Sequence, residues 1–219
     1  LAHCSSRVIV KGMGKYPKTD LAGFAQACGF QLQPQLDVLR EIYADVDARN
    51  SKNIANLDLP CQRGCDACCH ESVFLTTLEF LGAWDWIQTN LPSETMDEII
   101  DKGLALYQEN KEIIDAFDSP PPEGEKDHFS LARQLKFRCP ILGEDGACRV
   151  YPMRELLGRL FGCSFNSTGG IYGCHLVGEH LAGKVVTLLP AKGTANRLEG
   201  LPLTNTRQVY PHYIHWLYG

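Results

Sequence analysis

No stretch of about 18 apolar residues occurs anywhere in this chain, so no segment reads as a membrane-spanning helix. A basic stripe is also missing: 21 Lys and Arg stand among 26 Asp and Glu, with the signs interspersed and a formal charge of −5. The long-range field that draws proteins to phosphate backbones is therefore absent, and neither nucleic acid nor membrane is an expected partner. The opening LAHCSSRVIVKGMGKYPKTD lacks the charged start, long apolar run and cleavage site of a signal peptide, which gives the expectation of a cytoplasmic protein. No internal repeat of useful length, phosphate loop, Ser-His-Asp order or pair of catalytic carboxylates can be picked out, so the sequence names no substrate. It carries no signature of oligomeric state either.

What the chain has is length and sulfur. Its 219 residues, 44% of them hydrophobic, are enough to bury a core without covalent help, and the expectation is one domain over residues 1–219. Ten cysteines would mark a disulfide-stapled scaffold in a small secreted chain, but that reading belongs to chains unable to build a core.

Hydrophobic periodicity predicts a mainly α fold with minor short strands, its helices packed around a cysteine-rich site with irregular loops. Leu36, Leu39, Ile42, Tyr43 and Val46 recur at helical spacing and predict an amphipathic helix over 34–49. Thr76 and Glu79 spell a capping box ahead of Leu78, Leu81, Trp84 and Ile87, predicting a helix to about residue 90. Residues 93–117 repeat the pattern and form the longest candidate. The segment DSPPPEGEKD reads as an exposed linker to a second cysteine-bearing half. That half holds a short helix near 128–137, another after Pro152, and strand-like KVVTLLP. Residues 1–33 carry no readable structure, and RQVYPHYIHWLYG reads as a docking helix that closes the core.

Eight of the cysteines fall into two groups of four: Cys61, Cys65, Cys68 and Cys69, then Cys139, Cys148, Cys163 and Cys174. Cys4 and Cys28 stand apart as ordinary isolated cysteines. Thiolates that share one zinc, each about 2.3 Å from it, must lie close together, and C-x3-C and C-x2-C turns achieve this almost automatically. Gly64 suits such a turn because it is free to take a positive φ. The spacing C-x3-C-x2-C over Cys61, Cys65 and Cys68 is also that by which radical S-adenosylmethionine enzymes hold a [4Fe–4S] cluster. Cys68 and Cys69, being adjacent, point in different directions in any regular backbone. One mononuclear ion uses such a pair awkwardly, whereas a polynuclear cluster or two neighbouring sites use both.

Arg63, Arg138, Arg149, Arg154 and Arg159 lie near these cysteines, and cations beside thiolates lower their pKa and offset their charge. Each arginine reads equally as a solvated surface residue. His70 and His175 each follow a cysteine, where a nitrogen ligand and a simple hydrogen-bonding histidine are the alternatives.

Taken together, C-x3-C-x2-CC, VFLTTLE, CP-x7-C-x-VY-x2-R and two further cysteines resemble the zinc- or iron-chelating domain family known by its CxxCxxCC-type signature, to which flagellin lysine N-methylase is also similar. The resemblance covers roughly residues 61–174, with a family-like core of about 61–180. It implies metal chelation through Cys61, Cys65, Cys68, Cys69, Cys139, Cys148, Cys163 and Cys174, with Tyr151 and Arg154 in the Y-x2-R step. The chain departs from the family where Glu155 replaces an expected proline. Arg154 lies nine residues before Cys163, while Arg159 keeps the usual spacing, so either arginine fits the family role.

Thiolate softness fits zinc and iron–sulfur alike, and the C-x3-C-x2-C spacing with the surplus of ligands sets a [4Fe–4S] iron–sulfur cluster ahead of zinc. Two classes of function follow. One is an enzyme that uses the cluster for S-adenosylmethionine-linked or redox chemistry, with a redox or protein-substrate partner. The other is a structural, storage or sensing metal protein without turnover. Against a conventional radical enzyme stands the lack of alternating strand and helix units. Structural disulfides among the eight are the competing account of the sulfur, and they would resist chelators and yield to reductant.

Overall fold

In a computed structural model of the chain, the described residues are 9–10, 14–62, 64–120, 123 and 129–219. Among them the fold is mainly helical, with 54% helix and 8% strand. Strands β1 (Ile9–Val10) and β2 (Lys18–Thr19) pair antiparallel ahead of helix α1 (Leu21–Ala27). Asp20 caps α1, its carboxylate accepting the Gly23 amide at 2.8 Å. These elements lie where the sequence carried no readable pattern: the strands have two residues each, and α1 spans seven.

Helix α2 (Leu32–Ile54) is the longest, extending the expected 34–49 helix at both ends. It buries Leu36, Leu39, Tyr43 and Val46 along one stripe. Strand β3 (Phe74–Thr76) leads into α3 (Thr77–Asn90), and both halves of the predicted capping box are present. Helix α3 is buried nearly all round, through Leu78, Phe80, Leu81, Ala83, Trp84 and Ile87. A Cβ on Gly82 would stand 2.7 Å from Met153 Cε and 3.2 Å from Leu36 Cδ2, so those side-chain ends would have to shift to admit one. The 151–153 turn therefore approaches α3 closely.

The single helix expected over 93–117 is two, α4 (Ser93–Glu109) and α5 (Lys111–Ala116). Asn110 breaks it: its backbone leaves the helical region, and its side-chain amide donates to the Leu106 carbonyl at 2.9 Å. Of the expected linker, residues 121, 122 and 124–127 lie outside the described residues. The helix expected near 128–137 shrinks to α6 (Phe129–Ala132).

A 3₁₀ turn (Tyr151–Met153) with Pro152 in its first positions precedes α7 (Leu156–Leu160). Strands β4 (Ser164–Phe165) and β5 (Ile171–Tyr172) form a hairpin, followed by α8 (His175–Leu181). Of KVVTLLP only β6 (Leu189–Pro190) is strand, parallel to β4, and Val185 is exposed. Helix α9 (Ala191–Ala195) and strand β7 (Arg207–Val209) lead to α10 (Tyr210–Tyr218). Strand β7 pairs antiparallel with β3, setting Arg207 opposite Thr76.

The expected docking helix is α10, which packs on α4 and α3. Phe80 stacks on Tyr213 at 4.7 Å between ring centroids, and Trp84 Nε1 donates to Tyr218 Oη at 3.1 Å. The main core joins α1, α2, α3, α4, α7 and α10, and a smaller cluster of Val177, Leu181 and Leu188 sits under α8. Among the described residues no helix is long and apolar enough to cross a membrane.

Candidate metal centre

Residues 61–71 carry almost no regular backbone. A turn in which the Cys65 amide donates to the Gln62 carbonyl at 2.9 Å leads into a 3₁₀ helix (Ala67–His70). Gly64, at φ 90°, meets the 143–147 turn, where a Cβ on Gly146 would stand 2.8 Å from the Gly64 carbonyl oxygen. Both positions therefore need glycine.

The far end of this segment joins the second cysteine group directly. The Cys139 amide donates to the Cys69 carbonyl at 2.7 Å. From there Leu142 bonds back to Cys139 at 3.0 Å and forms a bridge with Cys148, folding residues 139–148 into one compact turn. The near end meets the β4–β5 hairpin: a Cβ on Gly162 would lie 3.3 Å from Cys61 Sγ. The Gly162 amide donates to the Tyr172 carbonyl at 2.7 Å, closing the hairpin base beside Cys163 and Cys174.

One arginine of the five considered reaches sulfur in a described contact: Arg154 Nη2 donates to Cys68 Sγ at 3.7 Å. Arg159 instead clamps the preceding turn. It donates to the carbonyls of Arg154 (2.7 Å), Pro152 (2.8 Å) and Tyr151 (3.1 Å), pairs with Asp47, and lies over the Tyr43 ring. Arg159 thus positions the segment from which Arg154 points at the thiols. Arg138 holds the Gly143 carbonyl at 2.8 Å, Arg149 pairs with Glu98 at 3.0 Å, and Arg63 lies outside the described residues.

The sulfurs differ in charge preference. Cys68 is lowered to about 6, because it receives the Cys69 thiol and the Arg154 guanidinium as donors while burial opposes. Cys69 is correspondingly pushed far up by the bond it gives to Cys68. Burial pushes Cys61 up to about 11, aided by Cys163, Cys65 and Cys174 beside it. Burial likewise takes Cys139 to about 12 and Cys148 to about 11, and raises Cys163. The raised thiols Cys61, Cys69, Cys139, Cys148 and Cys163 hold their protons more tightly than a free cysteine does, a preference that a bound metal ion reverses.

His70 sits 3.2 Å from Asp66, half-exposed, which is the ordinary hydrogen-bonding use of such a residue. Cys28 is disulfide-bonded, so the expectation of an unremarkable isolated thiol is wrong; all eight clustered cysteines are free. Cys4 lies outside the described residues.

Two carboxylates behind the sulfurs had no functional reading from sequence. Glu79, fully buried, caps α3 as expected. It also accepts from the Leu156 amide (2.7 Å) and Tyr43 (3.2 Å) and pairs with Arg207 (3.3 Å), tying α2, α3, α7 and β7 together. Glu155, also buried, lies 3.4 Å from Tyr210 Oη and is raised to about 7 by burial, with Arg154 opposing. No periodicity marks Glu155; the only hint was that it replaces an expected proline.

Thiols suit soft ions, so the donor chemistry fits zinc or an iron–sulfur cluster. Their arrangement is not preassembled: among the described residues no three His, Cys, Asp or Glu side chains stand close enough to hold one ion. Binding therefore requires thiol side chains to rotate inward from loops held mainly by turns. No family model, curated protein or solved structure matches the chain.

Proposed function

We propose that this protein binds a soft metal on its clustered cysteines, as a [4Fe–4S] iron–sulfur cluster whose thiolate ligands are drawn from Cys61, Cys65, Cys68, Cys69, Cys139, Cys148, Cys163 and Cys174. The observation that carries the reading is the 2.7 Å bond from the Cys139 amide to the Cys69 carbonyl, which brings together two sulfur-bearing stretches far apart in the chain. Arg154 beside Cys68 supports it, since a guanidinium offsets the negative charge that metal-bound thiolates accumulate. The C-x3-C-x2-C spacing and the surplus of thiols favour a cluster over one zinc ion. The resemblance to the zinc- or iron-chelating family rests on cysteine spacing and points the same way.

When bound, the cluster would supply electron transfer or a site for S-adenosylmethionine. The chain's own residues would hold its sulfur ligands, neutralise part of their charge through Arg154, and fix Arg154 through Arg159.

Purification without oxygen, followed by metal analysis and absorption spectroscopy, tests this reading. A brown protein with broad absorption near 400 nm, bleached by oxygen, is the expected result. Stoichiometric zinc in a colourless protein overturns the iron assignment, and a metal-free chain that binds neither overturns the proposal.

A further inference from the structure

The 139–148 turn is fastened in two different ways. Ile141 and Val150, beside its two ends, are buried in the main core, but residues 143–147 at its tip carry no apolar side chain larger than that of Ala147. The tip is nevertheless the part that meets the other cysteine stretch. A Cβ on Gly146 would stand 2.8 Å from the carbonyl oxygen of Gly64, the residue that precedes Cys65.

What holds the tip is charge. Five side chains of alternating sign run from one end of the turn to the other by way of α4. Arg149, next to Cys148, pairs with Glu98 at 3.0 Å, and Glu98 pairs with Lys102 at 2.6 Å. Lys102 reaches Glu144 in the tip at 3.1 Å, and Glu144 pairs with Arg138, next to Cys139, at 3.6 Å. Arg138 also donates to the Gly143 carbonyl at 2.8 Å. Glu98 and Lys102 stand one helical turn apart on α4, and that helix is locked into the body: Ile99 and Ile100 are fully buried, and Gly103 lies against Ile214.

We infer that Glu98 and Lys102 are positioning residues for the metal site: they form an ionic latch that holds the tip of the 139–148 turn against Gly64, and ionic strength regulates how firmly the two sulfur-bearing stretches stay together around an ion. This inference rests on the metal-binding reading above and adds a regulation of the same site. An isolated surface ion pair contributes little, whereas a connected network with one end on a buried helix contributes more. Its members are open enough to be screened: Glu144 is 76% exposed, Lys102 36%, and Arg149, the most covered, 19%. Salt shortens the reach of such charges from roughly 30 Å at about 0.01 M to roughly 3 Å at about 1 M. The apolar ends of the turn then stay fixed while the tip lets go of Gly64.

Amide hydrogen exchange of the metal-free chain at about 0.01 M and about 1 M salt tests the latch without a bound ion. In the wild type the Gly143, Gly146 and Cys65 amides, each bonded within its own turn, should exchange on the order of three- to tenfold faster at high salt, the size expected of a few partly exposed pairs. The amides of α3 serve as the control and should not respond. Lys102→Met keeps the side-chain length without the charge and should be fast at both salt levels, whereas Lys102→Arg, whose fork reaches both carboxylates, should restore the wild-type pattern. Wild-type protection that ignores salt, or protection that Lys102→Met leaves at the wild-type level, overturns the latch. The regulation is read on the same chains purified without oxygen, as the rate at which their metal is lost to a chelator. At low salt Lys102→Met should lose it on the order of three- to tenfold faster than the wild type, with the gap closing at high salt; equal rates at low salt overturn the regulation. A wild-type chain that carries no metal overturns the earlier proposal instead, and the exchange experiment still decides the latch.

Discussion

The helical body and the sulfur-bearing loops are held by different forces. Around Trp84, Phe80 and Tyr213 the side chains are buried on every side, and aromatic stacking and apolar contact supply the stability. None of the eight clustered cysteines is fully buried, and Cys61 is exposed. Their loops rest on glycine turns and a few backbone bonds, such as Cys139 to Cys69, with Ile141 and Val150 of the second stretch buried in the main core. In the 61–71 segment no described side chain is buried, and under the proposed function metal binding would supply the stability that apolar contact does not.

Mutation sharpens that contrast. Trp84→Ala removes a fully buried indole and should cost up to about 5 kcal/mol of unfolding free energy by denaturant titration. Metal content per folded chain should stay unchanged, because the indole lies in the body. Glu79→Gln strikes the seam between the two regions: it leaves Arg207, Tyr43 and the Leu156 amide poorly matched and should cost about 4 kcal/mol.

Glu155 gives the seam a pH dependence. Its carboxyl titrates at about 7 in the folded chain against an ordinary 4.5, so the folded state binds that proton more tightly. The associated stability is complete below pH 4.5 and is lost as pH rises through about 7. By the shift it amounts to a loss on the order of 3 kcal/mol. Glu155→Gln should flatten this part of the profile, read as the variant-minus-wild-type difference in denaturation midpoint across that range. The smallest effect belongs to the loops: Arg154→Gln should weaken metal affinity about 10- to 100-fold with helical content unchanged, measured by competition with a chelator.

The body was far more legible in the sequence than the site. The helix over 34–49, the Thr76 and Glu79 cap and the docking α10 all follow from periodicity and capping, because each belongs to a regular element whose signals lie within a few residues of chain. Asn110 escaped notice because the apolar pattern continues through it while a local side-chain bond ends the helix. In the loops, spacing identified the sulfur-rich stretches but not their pairing in space. That pairing is made by Gly64, Gly146 and Gly162 and by bonds between distant amides and carbonyls, which leave no periodic trace. The roles of Arg154 and Arg159 were undecided in the sequence for a similar reason. Both sit near cysteines, and only the clamp of Arg159 on the carbonyls of Tyr151, Pro152 and Arg154 separates them.

Hydrogen exchange of the metal-loaded chain, repeated after anaerobic chelation, tests most directly whether sulfur-bound metal holds the loops and apolar packing holds the body. The amides of Cys69, Cys139 and Leu142 should lose protection on metal removal while those of α3 and α10 keep theirs. Equal protection of the loops before and after chelation, in a chain proven to have carried metal, would contradict the account.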